Sequence, residues 1–265
     1  MEFEYIRITP EPGKPDFPAL FRRRELIWLL AKKELLIRYK QTVLGPAWLV
    51  LQPILNALVY ALVFDGLAGL GTGGAPKMGF YLSGAAVWGF FAGCFVKNAL
   101  CFRENAALFG KVYFPRLAVP AANLLCGLVT LGVQFVPVLP FLRPSHFWAL
   151  SLGIGLLGML GIGLGLAVSA LTVRYRDLHV LVQFGLQLWM YASPIAYPLD
   201  AVGKWASRLL LNPVTAPVEL IRYCLFGTGT VTAAALAWSA FCGFAALWLG
   251  IRLFTGAEAT FLDTV

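Results

Sequence analysis

Residues 22–53, RRRELIWLLAKKELLIRYKQTVLGPAWLVLQP, carry a charged, helix-favouring segment directly into an uncharged, apolar one. On the first side stand Arg22, Arg23, Arg24, Lys32, Lys33, Arg38 and Lys40, opposed only by Glu25 and Glu34. On the second side no charged residue occurs from Gln41 to Phe64, long enough to cross a hydrocarbon layer of ~30 Å as a helix of ~20 residues. The junction reads as an aqueous surface becoming a membrane, with the basic side cytoplasmic because Lys and Arg collect on that side.

Composition agrees. With 59% hydrophobic residues, 13% charged and a mean hydropathy of +0.76, the 265-residue chain fits no soluble class and is read as an all-α polytopic membrane protein. Its net charge of +8 would suggest nucleic acid in a soluble protein. Here the cations flank apolar spans, so topology and anionic membrane lipid explain them and no nucleic-acid partner is expected. The five cysteines lie in or beside apolar spans without CxxC or Cys/His spacing. They read as small buried hydrophobes, with no disulfide or metal role.

Before the junction, Pro10, Pro12, Pro15 and Pro18 keep residues 1–19 from forming a continuous helix, so they read as an extended arm. That arm has neither an apolar core nor a small-residue cleavage site, so no cleaved signal peptide is expected. Between residues 22 and 41, Leu26, Leu29, Leu30, Leu36 and Ile37 share a broad face, while Trp28, Leu35 and Tyr39 form a second stripe. Lys33 and Lys40 interrupt the first face, which suits an interfacial helix with snorkelling cations, lipid on one side and a protein partner on the other. Residues 1–43 are thus a cytoplasmic arm and amphipathic interface helix, and 44–265 a transmembrane domain.

Beyond the junction the pattern predicts six spans, about 44–66, 80–96, 117–142, 147–171, 180–197 and 231–251. Pro46, Gln52, Pro53 and Asn56 in the first span need protein or water partners, which turns that face inward. Asp65 ends it, and a Gly-rich loop follows. Residues 97–116 are too polar to span and suit a short amphipathic helix. Gly161, Gly165 and Ser169 in the fourth span form a small-xxx-small ridge for close helix packing, internal in preference to a dimer seam. Residues 198–230 resist an ordinary span, because Lys204, Arg208, Asn212, Pro213, Pro217, Glu219 and Arg222 interrupt their apolar runs. A re-entrant helical pair over about 201–226, turning at Asn212-Pro213, reconciles those facts. With both termini inside, sixteen basic residues fall on the cytoplasmic side and five outside, as the positive-inside bias requires.

Pumps, ion-coupled carriers and membrane enzymes place costly ionisable groups within their spans. Here Asp65, Lys97 and His146 lie only at span ends. The Gly-Lys pairs at 13–14, 110–111 and 203–204 lack the upstream Gly and the following Ser or Thr of a phosphate-binding loop. Any uphill transport must therefore draw its power from another protein. The spans do offer Trp48, Gln52, Asn56, Tyr60, Phe64, Trp88, Gln187, Trp189, Tyr191 and Tyr197. Aromatic faces and neutral amides suit a carbohydrate polymer, and equally the packing and interfacial belts of ordinary spans.

The run from Arg38 to Pro53 resembles the opening of the ABC-2 type polysaccharide exporter permeases, with their R-Y-[KR]-x-[ST]-x-L-G-x-x-W-x-x-x-x-P pattern. Arg38, Tyr39, Lys40, Thr42, Leu44, Gly45, Trp48 and Pro53 carry it. KVYFPR (111–116), RYRD (174–177), SPIAYP (193–198) and NPVTAPVELIR (212–222) extend the likeness over nearly the whole chain past residue 20. The resemblance implies a homodimer in the bacterial inner membrane, paired with two copies of a separate ATPase that binds ATP and Mg. Its cargo would be lipid-linked O-antigen, capsular or teichoic-acid-type polysaccharide. It further implies that Arg22 to Lys40 and Arg103 to Lys111 face the ATPase, with Arg22, Arg38, Lys40, Arg103, Glu104 and Lys111 as coupling residues. Spans one and five would line the channel, and Trp205 to Phe226 would form an external gate that includes Asn212, Pro213, Glu219 and Arg222. No catalytic residue, cofactor or metal carries over to this chain.

Three rivals remain at this level. An ABC-2 exporter of drugs or small lipids shares the fold. A lipid or glycan enzyme would need acidic, His or metal-ligand residues at one membrane face, whereas Asp65, His146, Asp177 and His179 scatter over both. A passive channel or scaffold would bind no ATPase.

Overall fold

Backbone geometry at Gln41 decides how the basic segment meets the first span. In the computed structural model, which describes residues 17–109, 114–142, 147–172, 175 and 177–262, Phe17–Arg22 (α1) and Arg24–Tyr39 (α2) precede an extended Lys40 and a Gln41 with φ +65°. Positive φ is uncommon outside glycine, so α2 and the span are separate elements rather than one rod. A 3-10 turn, Gly45–Ala47, leads into Trp48–Tyr60 (α3), which a π-helical stretch, Ala61–Leu67, prolongs. Pro53 lies inside α3 and is buried, so protein surrounds the backbone break it makes. At the end of this span Asp65 pairs with Lys77 at 2.7 Å, closing the Gly-rich loop.

The remaining helices are Lys77–Ala99 (α4), Cys101–Glu104 (α5), Ala106–Phe109 (α6), Ala118–Phe135 (α7), Phe147–Thr172 (α8), Leu178–Tyr191 (α9), Ala206–Leu209 (α10), Thr215–Phe226 (α11) and Ala233–Leu262 (α12). No strand occurs among the described residues. Helix α4 is the centre: α3, α7, α8, α9 and α11 all pack on it, and most of its side chains are buried. Its aromatic residues form the core ladder, Trp88 against Phe91 and Phe91 against both Phe95 and Trp189. Helix α12 packs chiefly on α8.

Five helical segments among the described residues are long and apolar enough to cross a membrane: Gly45–Leu67, Lys77–Ala99, Ala118–Phe141, Phe147–Thr172 and Ala233–Ala257. The chain is a multi-pass membrane protein. The span expected at 180–197 is instead a 14-residue helix, α9, which at ~1.5 Å per residue reaches about 21 Å, short of the ~30 Å layer. Pro194 and the Ile195 N–H to Ser193 carbonyl bond stop it. The expected helical pair within 201–226 appears as α10 and α11, separated at Asn212-Pro213. The single amphipathic helix expected near 97–116 is two four-residue helices, α5 and α6. Cys101, Phe102 and Phe109 pack there with Phe254 of α12, and Phe102 stacks on Phe254 at 4.4 Å.

The face expected on the interface helix divides. Leu26, Ile27 and Leu30 pack toward α5–α7 beside a buried Ala31, while Leu29, Leu36 and Ile37 are exposed with Trp28. Close approach at Ala31, too small to hold α2 off, selects the docked stripe.

The glycines of α8 work on two sides. A Cβ at Gly161 would lie 3.0 Å from the Phe91 carbonyl oxygen and one at Gly165 2.7 Å from Asn98 Cβ, so that ridge seats α4 internally. Ser169, in the same row, is buried. A Cβ at Gly163 would collide with the Ala246 and Leu247 backbone, and one at Gly250 with the Gly163 carbonyl. The α8 and α12 backbones therefore touch. Gly163→Ala is expected to cost ~1–3 kcal/mol of stability by overpacking, lowering the thermal midpoint in detergent. Gly155→Ala, where nothing lies within 4 Å, should leave that midpoint unchanged.

Candidate functional site

Three groups of residues come together at different depths. At the end opposite the basic helices, α11 carries Glu219 and Arg222 one turn apart, each side chain 3% exposed and paired at 2.8 Å. Arg222 Nη2 donates to the Ile195 carbonyl at 2.7 Å, Nη1 reaches the Tyr197 carbonyl at 3.5 Å, and the guanidinium lies 3.9 Å from the Phe80 ring centroid. Glu219 Oε2 accepts the Thr230 N–H. Gly84 admits this arrangement, because a Cβ there would meet the Ile195 carbonyl oxygen at 2.5 Å. The pair thus fastens the broken segment after α9 and the start of α12 to α11 and α4.

Asn212 makes a second fastening. Its Nδ2 donates to the Ala192 carbonyl and Ser193 Oγ, and its Oδ1 accepts from Trp189 Nε1 and the Val214 N–H, all at 2.8–3.1 Å. An amide has two donors and an acceptor with two lone pairs, so this side chain is fully used. It joins the end of α9 to the entry of α11, and Pro213, half-buried, needs no N–H partner at the turn.

Of the expected lining residues, Trp48, Gln52 and Asn56 form one exposed row on α3 at a spacing of four. Gln187 and Tyr191 are exposed on α9 in a row begun by Gln183. Tyr60 joins the two helices by donating to Met190 Sδ at 3.0 Å. Trp88, by contrast, is 9% exposed in the α4 core ladder and faces no open surface. Tyr197 is buried, donating to the Tyr191 carbonyl, and Trp189 is half-buried between Phe91 and Asn212. These three aromatics are structural in this conformation: an apolar ring gains more from the core than from an open face.

At the basic end, Arg22, Lys40 and Arg103 are exposed, while Lys111 falls outside the described residues. Glu104 of α5 accepts from Lys97 at 3.3 Å, and Glu34 of α2 accepts from the same Lys97 at 2.8 Å. Arg38 stands 3.8 Å from Glu34. Lys97, the last cation of α4, therefore bridges the interface helix and the following loop. In the sequence Lys97 reads only as a span end and Glu34 only as an acid within the basic segment. The only local signal was an acid four residues before Arg38 in a basic helix, since the partner lies 63 positions away. No group of three His, Cys, Asp or Glu side chains that could hold a metal occurs among the described residues.

A family model described as ABC-2 type transporter matches residues 25–226. The O-antigen export system permease protein RfbA of Klebsiella pneumoniae is 25% identical over 251 residues, 90% of this chain and 94% of that protein. The protein of the same name in Myxococcus xanthus is 26% identical over 256 residues, covering 93% and 97%.

Proposed function

The chain belongs to the ABC-2 type transporter family, a permease subunit rather than an enzyme, and from that premise we propose that it exports lipid-linked polysaccharide. The family implies an ATPase partner, which supplies the ATP and Mg chemistry. The cargo is O-antigen or a capsule or teichoic-acid-type polymer, carried from the cytoplasm across the inner membrane between two copies of this chain working with two ATPases.

One observation carries the cargo reading. Gln52 and Asn56 are exposed on α3, within a segment long and apolar enough to cross a membrane, and Gln183, Gln187 and Tyr191 are exposed on the adjoining α9. Lipid is a poor neighbour for amides, so a polymer path or a second copy covers them. Neutral amides and aromatic faces bind hydroxylated rings without the strong electrostatic hold that would stall a moving chain. The relatives named as O-antigen export permeases support the same cargo.

In this reading α9 with the broken segment after it completes a sixth crossing, both termini are cytoplasmic, and the basic end meets the ATPase. Residues 1–43 then form the arm and interface helix, and α10–α11 the external gate. The test is reconstitution of the chain with its cognate ATPase in vesicles, measuring polymer-dependent ATP hydrolysis and export. Absence of both would remove the reading. Activation by small amphiphiles alone would favour the drug or small-lipid exporter. Gln52→Leu with Gln187→Leu is expected to slow export by about fivefold per hydrogen bond lost, on the ~1 kcal/mol scale of such bonds. Co-purification of the ATPase should not change.

A further inference from the structure

Helix α1 roofs an open apolar slot of about 160 Å³ at the basic end, between α7, α8 and α12. Phe17 and Leu20 of α1, Pro120 and Ala121 of α7, Leu166 of α8 and Ile251 of α12 line it, and every lining side chain is apolar. Leu166 lies six residues before the end of α8 at Thr172, about 9 Å along the helix, so the slot lies near the basic end of that apolar helix. An open slot lined only by apolar side chains favours an apolar occupant over water.

Its rim is positive. The Arg23 N–H bonds to the Leu20 carbonyl at 3.2 Å, which puts the Arg22, Arg23 and Arg24 turn directly beyond the slot-lining Leu20. Arg252 follows Ile251 on the α12 side, its guanidinium 5.4 Å from the Trp248 ring centroid. We propose that the slot holds one acyl chain of an anionic phospholipid, with the lipid phosphate against the Arg22 to Arg24 turn. No residue lining the slot belongs to α3 or α9, which carry the exposed amides of the polymer path. The bound lipid ties α1, and through it α2, to the bundle of spans.

The test uses the full chain in phosphatidylcholine nanodiscs doped with phosphatidylglycerol or phosphatidylcholine carrying a photoactivatable acyl chain. Phosphatidylglycerol is expected to label peptides containing residues 117–121, 162–166 and 247–251 at least about fivefold above phosphatidylcholine, the scale of one arginine near an anionic lipid. Arg22→Gln, Arg23→Gln and Arg24→Gln together should erase that preference, and Ala121→Trp should lower labelling by both probes. The wild-type comparison stands even if either variant fails to fold. Equal labelling by the two lipids overturns the proposal. So does stronger labelling by a polyprenyl phosphate probe, or labelling that arises only after residues 1–16 are deleted.

Discussion

Arg222→Met is expected to destabilise the protein by ~3–5 kcal/mol, because it leaves Glu219 as a buried, uncompensated carboxylate. The pair is nearly inaccessible, and the same guanidinium holds the Ile195 carbonyl and covers Phe80. The loss should show as a lower thermal midpoint, read by size-exclusion chromatography of heated detergent extracts, and as new labelling of a cysteine placed at Ala196. Removing both charges, with Glu219→Gln and Arg222→Met, should recover most of the midpoint, since a buried pair contributes little net stability beyond an apolar isostere. Arg222→Lys keeps the charge but loses the planar fork that reaches Glu219 and Ile195 together, and should fall between the two. A single variant as stable as the parent would refute the fastening role assigned to this pair.

Lys97→Met is expected to leave the ATPase bound while lowering polymer-stimulated ATP hydrolysis and export by about tenfold, within the usual 5–150-fold range of coupling between sites. Lys97 ends the central helix and reaches Glu34 on α2 and Glu104 on α5. Motion of either basic-end element therefore pulls on the helix that packs against α3 and α9. The side chains are partly exposed, so the ion pairs themselves are a weak source of stability and the effect should appear in coupling rather than in the thermal midpoint. Glu34→Gln should reproduce the defect in part, because Glu104 still holds Lys97. Full activity in Lys97→Met, with the ATPase retained, would assign transmission to the packed apolar contacts of α2 instead.

Much of this architecture is legible in the amino-acid sequence. The basic-to-apolar junction, the span ends at Asp65 and Lys97, and the turn at Asn212-Pro213 all follow from charge and proline placement, and the helices begin and stop close to those residues. Glu219 and Arg222 read in the sequence only as charges that interrupt an apolar run, and their pairing appears with the structure. Other features were not legible. Trp88 looked like a lining residue because hydropathy does not say which side of a span meets its neighbours, and α4 turns out to be surrounded. In the sequence of the interface helix Leu26, Leu29, Leu30, Leu36 and Ile37 read as one face. Packing divides it, docking Leu26 and Leu30 together with Ile27, which belonged to neither stripe, and leaving Leu29, Leu36 and Ile37 exposed. Lys97 offered no local sign that two carboxylates from separate segments would meet it.

By itself the sequence determined that this chain is helical, that it lies in a membrane, and where charged residues end several of its apolar segments. Those properties depend on transferring each residue from water to hydrocarbon and on backbone bonds closed within four positions, both local quantities. Tertiary structure alone decided which amides stay uncovered, which aromatics become core, and which distant charges neutralise one another. Those outcomes turn on helix approach at glycines such as Gly84, Gly161 and Gly163. A missing side chain sets the contact there, and what it contacts lies elsewhere in the chain.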